Sequence, residues 1–205
     1  LRALVDFLNG FESFGFLAVE LTDTQTGKCI DLARERFGFR ESWMEGSTLY
    51  FNGHPVRLKG SPGFVFSIPC DVHIGRGAVA PGYYDETGYL ATALVTGLVN
   101  TPSKHNVERD VFWQTTTANA LEAVRRSWNH PSIIAWDLSN EWYTYAPYTG
   151  CDMNKAADRF IALRDAVENL DPSRWTFFNG DHDIGGRHDN ISTHYMLGSA
   201  RPDFE

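Results

Sequence analysis

The sequence predicts an α/β fold in which buried strands alternate with helices, preceded by a segment of antiparallel strands. From about residue 85 onward, short apolar runs typical of buried strands alternate with longer periodic segments typical of helices. Before residue 60, apolar residues recur with a period of two and turn sequences separate the runs. The chain has 205 residues, of which 42% are hydrophobic, so it is long enough to bury a core.

The composition and charge exclude several classes of protein. The formal net charge is -8, whereas a protein that binds a phosphate backbone needs a basic face, so we expect no nucleic-acid partner. No apolar run approaches the roughly 18 residues of a membrane-spanning helix, so we expect no membrane partner. The cysteines Cys29, Cys70 and Cys151 are odd in number and irregularly spaced, unlike a disulfide framework or a zinc site.

The first forty residues are expected to form the last hairpin of an antiparallel sandwich. Residues 17–21 show the period-two pattern of a half-buried strand, and residues 23–27 have the sequence of a turn. Residues 29–33 resume the extended pattern, and residues 36–40 are expected to end this second strand.

A second hairpin is predicted around Asn52-Gly53. Apolar runs at 49–51 and 56–60 flank this dipeptide, and Asn-Gly between two apolar runs is a strong signal for a two-residue hairpin turn. The next stretch, 61–84, is rich in Gly and Pro and shows no clean period, so we expect irregular structure there.

The second half of the chain predicts a parallel sheet with crossover helices. The helix at 111–128 is expected to bury Leu121, Val124 and Trp128 on one face, and Pro131 ends it. The nearly continuous apolar run at 133–138 is typical of a strand buried on both faces. The predicted elements are strand 89–95, helix 111–128, strand 133–138, helix 154–170, strand 175–179 and strand 191–195.

Polar side chains follow the ends of three predicted strands, where parallel βα folds collect their reactive groups. Glu141 ends the strand at 133–138, and burial beside Trp142 is expected to raise the pKa of its carboxyl. A general acid that protonates a glycosidic oxygen must itself carry a proton, so a raised pKa suits this role. The neighbouring Asn140 can form a hydrogen bond with a substrate hydroxyl. The alternative is that Glu141 only caps the following loop or helix. The chemistry of the residues favours neither interpretation.

A resemblance to a known family favours the first interpretation. Residues 129–141 read NHPSIIAWDLSNE, which resembles the acid/base signature of family 2 glycoside hydrolases. These are retaining (β/α)8-barrel enzymes that include β-galactosidases, β-glucuronidases and β-mannosidases. Residues 36–41 and 49–60 resemble the family's passage from an immunoglobulin-like sandwich into the first barrel strand. The two motifs occur in the order that the family has.

The resemblance implies an incomplete (β/α)8 TIM barrel at 46–205, preceded at 1–45 by the last strands of an immunoglobulin-like β-sandwich. It implies hydrolysis of β-linked glycosides, a carbohydrate substrate and no cofactor. Glu141 would be the general acid/base at the end of strand four, and Asn140 would bind the 2-hydroxyl of the sugar. The motif at the end of strand six would be His194-Tyr195, in which the tyrosine orients the nucleophile. The further residues expected at the substrate are Trp142, Asp181 and His182.

The sequence also departs from the family pattern. Only about 25 residues separate Gly60 from Asp85, which is short for a strand and its crossover, since a crossover alone takes about a dozen residues or more. We therefore expect the region of strand two to be shortened, with the strand and its arginine absent; His73 and Arg76 are candidates for part of that role. Strands seven and eight are expected to be absent as well, and with them the nucleophile.

Two residues stand out in the loop at 181–189. Asp181 and His182 are expected to contact sugar hydroxyls, although a solvated polar turn is the alternative interpretation. A calcium site is not expected, because the loop lacks the third acidic or Asn position and the terminal Glu of a calcium loop. No metal is expected.

The predicted function is retaining glycoside hydrolysis, and Glu205 is not expected to serve as the nucleophile because no strand precedes it. The 205-residue chain alone is therefore expected to be inactive. The first alternative is a non-catalytic carbohydrate-binding or structural remnant of the barrel. The second is a metal-dependent hydrolase that uses His182, His188 and His194.

Overall fold

A computed structural model describes residues 3–5, 14–46, 48–56, 58–61, 72–76, 81–87, 90–100 and 102–192. The chain divides into two compact units. The first unit comprises Leu1–Ala91 and Arg126–Ile134, and the second comprises Thr92–Arg125 and Ala135–Glu205.

An antiparallel sheet of three strands begins the first unit. The strands are β1 (Ala3–Val5), β2 (Phe14–Thr22) and β3 (Cys29–Gly38), and they pair in the order β1-β2-β3. The Asp23 carboxylate accepts hydrogen bonds from the backbone of the turn that joins β2 to β3. The predicted hairpin and its turn are confirmed.

A second antiparallel sheet contains β4 (Ser42–Glu45), β5 (Thr48–Phe51) and β6 (His54–Val56). Asn52 and Gly53 connect β5 to β6 with φ values of 48° and 82°. Two consecutive left-handed residues match the twist of antiparallel strands, and Asn and Gly adopt that conformation at the least cost. The predicted Asn-Gly hairpin is confirmed.

Parallel pairing begins with β7 (Leu58–Ser61) and β8 (Val72–Arg76), which helix α1 (Pro81–Thr87) follows. The prediction of irregular structure over 61–84 is wrong for β8 and for the start of α1. The sheet order places β8 between β7 and β9, so the expected absence of a second parallel strand is also wrong. β8 has only two large apolar residues among its five, too few for a visible period.

The remaining parallel strands are β9 (Leu90–Leu94), β10 (Ile133–Asn140) and β11 (Trp175–Asn179). In the second unit the amide of Val95 donates to the carbonyl of Asp137, and β10 pairs in parallel with β11. Every residue of β10 is buried, as its apolar run predicts. The alternation of strands with helices confirms the predicted α/β class.

The helices of this half are α2 (Lys104–Glu108), α3 (Asp110–Ser127), α4 (Trp142–Tyr145) and α5 (Met153–Leu170), with a 3-10 turn at Ala146–Thr149. Both long helices were predicted within one residue at each end. The predicted apolar face of α3 is right for Val124 and wrong for Trp128, which is 41% exposed. The buried residues of α3 are Trp113, Ala120 and Val124, with successive spacings of seven and four residues that place them on one face.

Of the strand predicted at 191–195, only the first two residues are described, and Ser192 forms an isolated antiparallel bridge with His182. Within the ranges that the structure describes, none of the helices is long and apolar enough to cross a membrane.

Candidate active site

Polar residues at the carboxyl ends of β10 and β11 form the candidate site in the second unit. The pairing of the two strands shifts between Asp137 and Asn140, where β10 has one residue more than β11. Such a bulge turns the following side chains away from the regular alternation and is common beside active sites. The amide of Glu141 then donates to the carbonyl of Asn179 at 2.8 Å, which ties the ends of the two strands together.

Glu141 has an unusual backbone conformation for its residue type. Its φ is 55° and its ψ is 22°, in the left-handed region, where a side chain with a β-carbon is strained. The residue is 4% exposed and is the N-cap residue of α4, but its side chain makes no capping hydrogen bond. The structure therefore gives no support to the alternative in the form in which Glu141 caps the following helix by a side-chain hydrogen bond.

The side-chain amide of Asn140 is buried, and only its nitrogen forms a hydrogen bond among the described residues. Its Nδ2 donates to Oδ1 of Asn100, and the backbones of the two residues are joined by a hydrogen bond of 2.9 Å. Its Oδ1 is buried and has no hydrogen-bond partner among the described residues. Because an unpaired buried carbonyl oxygen is costly, this atom is suited to accept a hydrogen bond from a bound hydroxyl.

Trp142 lies in the core and not at an open surface. It is 2% exposed, and its ring stacks on Phe112 and packs edge-on against Trp113. Phe160 contacts the same ring at a centroid distance of 5.7 Å. The indole was predicted to contact substrate, but these rings leave it no exposed face on which a sugar could stack.

Asp181 is completely buried, and both of its carboxylate oxygens bind the chain itself. Its Oδ2 accepts hydrogen bonds from the hydroxyl of Ser139 and, at 3.1 Å, from the amide of Trp142. Its Oδ1 accepts from the amide of Thr144 at 2.8 Å. Burial raises the pKa of Asp181, although these hydrogen bonds act in the opposite direction. The carboxylate predicted to contact sugar hydroxyls is thus occupied by the segment around Glu141.

The other predicted contacts have different outcomes. His182 is exposed, with a left-handed φ of 59°, and its amide donates to the carbonyl of Ser192. His194 and Tyr195 lie outside the described residues, so their predicted roles stay predictions.

The structure adds Asn100 and Ser139 to the site. Asn100 follows β9 with a φ of 47° and fixes the amide of Asn140, which is 40 positions away in the sequence. Ser139 lies two residues before Glu141 and donates to Asp181. The only sequence signal for either residue is a polar side chain near the end of a predicted strand.

His188 is buried and contacts residues of β11. It is 5% exposed, its Nε2 lies 3.1 Å from the carbonyl oxygen of Thr176, and its ring packs edge-on against Phe178. Burial lowers the pKa of His188. Among the described residues there is no group of three His, Cys, Asp or Glu side chains that could hold a metal ion. His188 therefore does not support the metal-dependent alternative.

Comparison with known proteins connects this geometry to a family. The family described as "Glycosyl hydrolases family 2, TIM barrel domain" matches residues 83–199. Two proteins of Formosa agariphila, each named "Putative beta-glucuronidase", are 36% and 24% identical to this chain. The matches cover 86% and 72% of this chain but only 25% and 16% of those proteins. The chain thus spans a quarter or less of the length of these curated relatives.

Solved structures show the same fold at lower identity. A β-glucuronidase from Ruminococcus gnavus in complex with C6-substituted uronic isofagomine matches 82% of this chain and 32% of its own, with a TM-score of 0.58 and 23% identity. The β-glucuronidase of Parabacteroides merdae matches 85% of this chain and 25% of its own, with a TM-score of 0.63 and 16% identity. β-Glucuronidase 3 of Bacteroides uniformis has a TM-score of 0.56 and 19% identity.

Proposed function

Because the chain belongs to glycosyl hydrolase family 2, we propose that it carries the acid/base side of a site that hydrolyses β-linked glycosides with retention. The observation that carries the proposal is the geometry of Glu141, a buried, left-handed glutamate at the end of β10 whose side chain makes no capping hydrogen bond to α4. The adjacent Oδ1 of Asn140 supports it, since this atom has no hydrogen-bond partner in the part of the chain that the structure describes and a sugar can supply a hydroxyl.

The proposal includes a finer description of the fold. The parallel strands belong to a (β/α)8 barrel, and β1 to β3 belong to the end of an immunoglobulin-like sandwich. The sheet order β7-β8-β9-β10-β11 supports this, because β10 is the fourth parallel strand counted from β7. The fourth strand is where the resemblance of residues 129–141 places the acid/base residue.

The mechanism follows from the chemistry of retaining glycosidases. Glu141 donates a proton to the glycosidic oxygen as the bond to the anomeric carbon breaks, and a second carboxylate forms the covalent intermediate. Glu141 then removes a proton from the water that releases the sugar. Asn140 accepts a hydrogen bond from the 2-hydroxyl, His182 and His194 contact other hydroxyls, and Tyr195 orients the nucleophile. We assign the nucleophile to no residue of this chain.

The substrate class is proposed from the relatives. Both relatives from Formosa agariphila carry names that refer to β-glucuronidase, and the solved structures include β-glucuronidases. We therefore propose β-glucuronides as the first substrates to test, with β-galactosides as the comparison within the same family.

The test replaces Glu141 in the complete gene product that contains this chain. With phenyl β-D-glucuronide and phenyl β-D-galactoside, whose leaving groups need a proton, Glu141→Gln is expected to lower kcat/KM by about 10²- to 10⁴-fold, the usual contribution of a general acid. The azide experiment uses the corresponding 4-nitrophenyl glycosides, whose better leaving group can depart without the acid. Glu141→Ala with added azide is expected to recover turnover and to yield the β-glycosyl azide, because azide needs no general base and retention preserves the β configuration. Glu108→Gln, at an exposed glutamate of α2, is the matched control and should keep wild-type activity.

Three outcomes would overturn parts of the proposal. Wild-type activity of Glu141→Gln would remove the acid/base assignment, and an α-glycosyl azide would remove the retaining mechanism. Sugar binding without turnover by the complete gene product would favour the carbohydrate-binding alternative. The 205-residue chain alone is expected to leave activated β-glycosides intact, and turnover that Glu141→Gln abolishes would contradict this expectation.

A further inference from the structure

We propose that Asp181 is the positioning residue of the acid/base group, and that its carboxylate holds the segment around Glu141 in the conformation that aims the acid. This inference rests on the proposed function of Glu141. The sequence predicted that Asp181 contacts sugar hydroxyls. In this inference Asp181 instead binds the protein segment that carries Glu141.

The hydrogen bonds of Asp181 surround Glu141 in the sequence. They come from the hydroxyl of Ser139, two residues before it, and from the amides of Trp142 and Thr144, one and three residues after it. A single carboxylate thus binds the chain on both sides of the left-handed residue. Because the side chain of Glu141 supplies no cap for α4, Asp181 satisfies backbone donors that would otherwise be unpaired.

Neighbouring contacts make the same connection between the two strand ends. The hydroxyl of Thr144 donates to the carbonyl of Gly180 at 2.7 Å, and the amide of Glu141 donates to the carbonyl of Asn179 at 2.8 Å. Residues 179–181 therefore bind residues 139–144 through side chains and backbone together. Asp181 has no exposed surface, so its carboxylate is available to the protein alone.

The chemistry requires a carboxylate at this position. All the partners described above are donors, and a carboxylate offers acceptors only. In Asp181→Asn, the NH₂ group would face a hydroxyl or an amide donor, which would leave at least one buried N–H unpaired. The segment would then shift to satisfy its donors, and the carboxyl of Glu141 would move away from the glycosidic oxygen.

A misaimed acid has a kinetic signature that loss of stability does not produce. Departure of a poor leaving group needs the proton from Glu141, whereas 2,4-dinitrophenolate leaves without it. In the complete gene product, Asp181→Asn is expected to lower kcat/KM for a phenyl β-glycoside by about 30-fold or more, and for the 2,4-dinitrophenyl β-glycoside by about threefold or less.

Asp171→Asn is the matched control for this experiment. Asp171 is also a buried carboxylate, but its partners are Trp136, Ser173 and Arg174, none of which adjoins Glu141 in the sequence. This variant is expected to lower thermal stability without changing the ratio of the two kcat/KM values. A fall in kcat/KM by the same factor for both leaving groups in Asp181→Asn, or no fall for either, would overturn the positioning role.

Two further variants keep the result interpretable. Ser139→Ala replaces Asp181→Asn if the latter does not fold, because it removes one of the donors to Asp181. It is expected to lower kcat/KM about fivefold for the phenyl glycoside only. An equal fall for both glycosides would overturn the proposal. Glu141→Gln separates the two proposals. If it shows the leaving-group dependence and Asp181→Asn does not, the positioning role fails while the proposed function stands. If Glu141→Gln has no effect, the proposed function itself fails.

Discussion

The left-handed backbone of Glu141 is the feature at the scale of single residues that bears most on function. A non-glycine residue in this region costs about 1–3 kcal/mol, so the surrounding contacts must outweigh that cost. Here they include the hydrogen bond from its own amide to Asn179 and the hydrogen bonds that Asp181 accepts on either side. Strain of this kind at a strand end is typical of a residue whose direction matters more than its contribution to stability.

At the same scale, the stability of the region near His188 is expected to depend on pH. Burial lowers the pKa of His188 below the ordinary value of 6.5. As pH falls below that value, the unfolded chain takes up a proton before the folded chain does, so the free energy of unfolding falls. His188→Gln keeps a donor for the Thr176 carbonyl but does not titrate. It is expected to weaken this loss of stability between about pH 7 and pH 5.

The measurement is hydrogen exchange of peptides that cover residues 175–192 in the complete gene product, at several pH values after correction for intrinsic rates. His182→Gln is the control, because it removes an exposed imidazole six residues away. Wild-type protection should decrease on acidification more than protection in His188→Gln. Parallel decreases in the two proteins would show that His188 does not govern the acid sensitivity.

At the scale of elements, helix α5 owes its start to one side chain. The carboxylate of Asp152 accepts hydrogen bonds from the amides of Asn154 and Lys155, which have no partners within the helix. Asp152→Ala removes both bonds and is expected to lower the free energy of unfolding by about 0.5–2 kcal/mol. Faster hydrogen exchange confined to the first turn of α5 would accompany this loss.

Asp165→Ala is the matched control on the same helix. Asp165 is exposed in the middle of α5, and its side chain pairs with that of its neighbour Arg164. Exposed pairs contribute little, so this variant is expected to stay within about 0.5 kcal/mol of the wild type. Equal losses in the two variants would mean that Asp152 does not act as a cap.

At the scale of the whole molecule, aromatic packing connects the core of the second unit to the candidate site. Phe160 of α5 contacts rings from three other elements: Trp113 of α3, Trp142 of α4 and Phe178 of β11. Trp142 follows Glu141 directly, and its amide binds Asp181. The aromatic core therefore fixes the residue next to Glu141, the proposed acid.

Phe160→Ala is expected to destabilise the second unit by about 3–5 kcal/mol, because it removes a fully buried ring from a packed cluster. Urea denaturation of the complete gene product, followed by tryptophan fluorescence, measures the change. Tyr148→Ala removes an aromatic ring that is 85% exposed, and should change stability by less than about 0.5 kcal/mol. A loss below about 1 kcal/mol in Phe160→Ala would contradict the central role of this ring.

The elements that the sequence predicted well are those with long, regular patterns. The helix α5 and the strand β10 were predicted correctly because a long periodic segment and a nearly continuous apolar run leave few alternatives. β8 was missed because five residues with two large apolar side chains carry little periodicity. The burial of Trp142 was also missed, since an aromatic residue beside a candidate acid fits a sugar platform and a core equally well.

The sequence by itself determined the α/β class, both hairpins, the main helices and strands, and the candidate acid Glu141. These depend on patterns within about twenty residues, where periodicity, turn residues and a contiguous motif are visible. Only the tertiary structure decided that Asp181 binds the segment around Glu141 and that Asn100 orients Asn140. Those pairs lie about 40 positions apart. Contacts of that kind arise when parallel strands bring their carboxyl ends together, and no local pattern encodes which polar residues then meet.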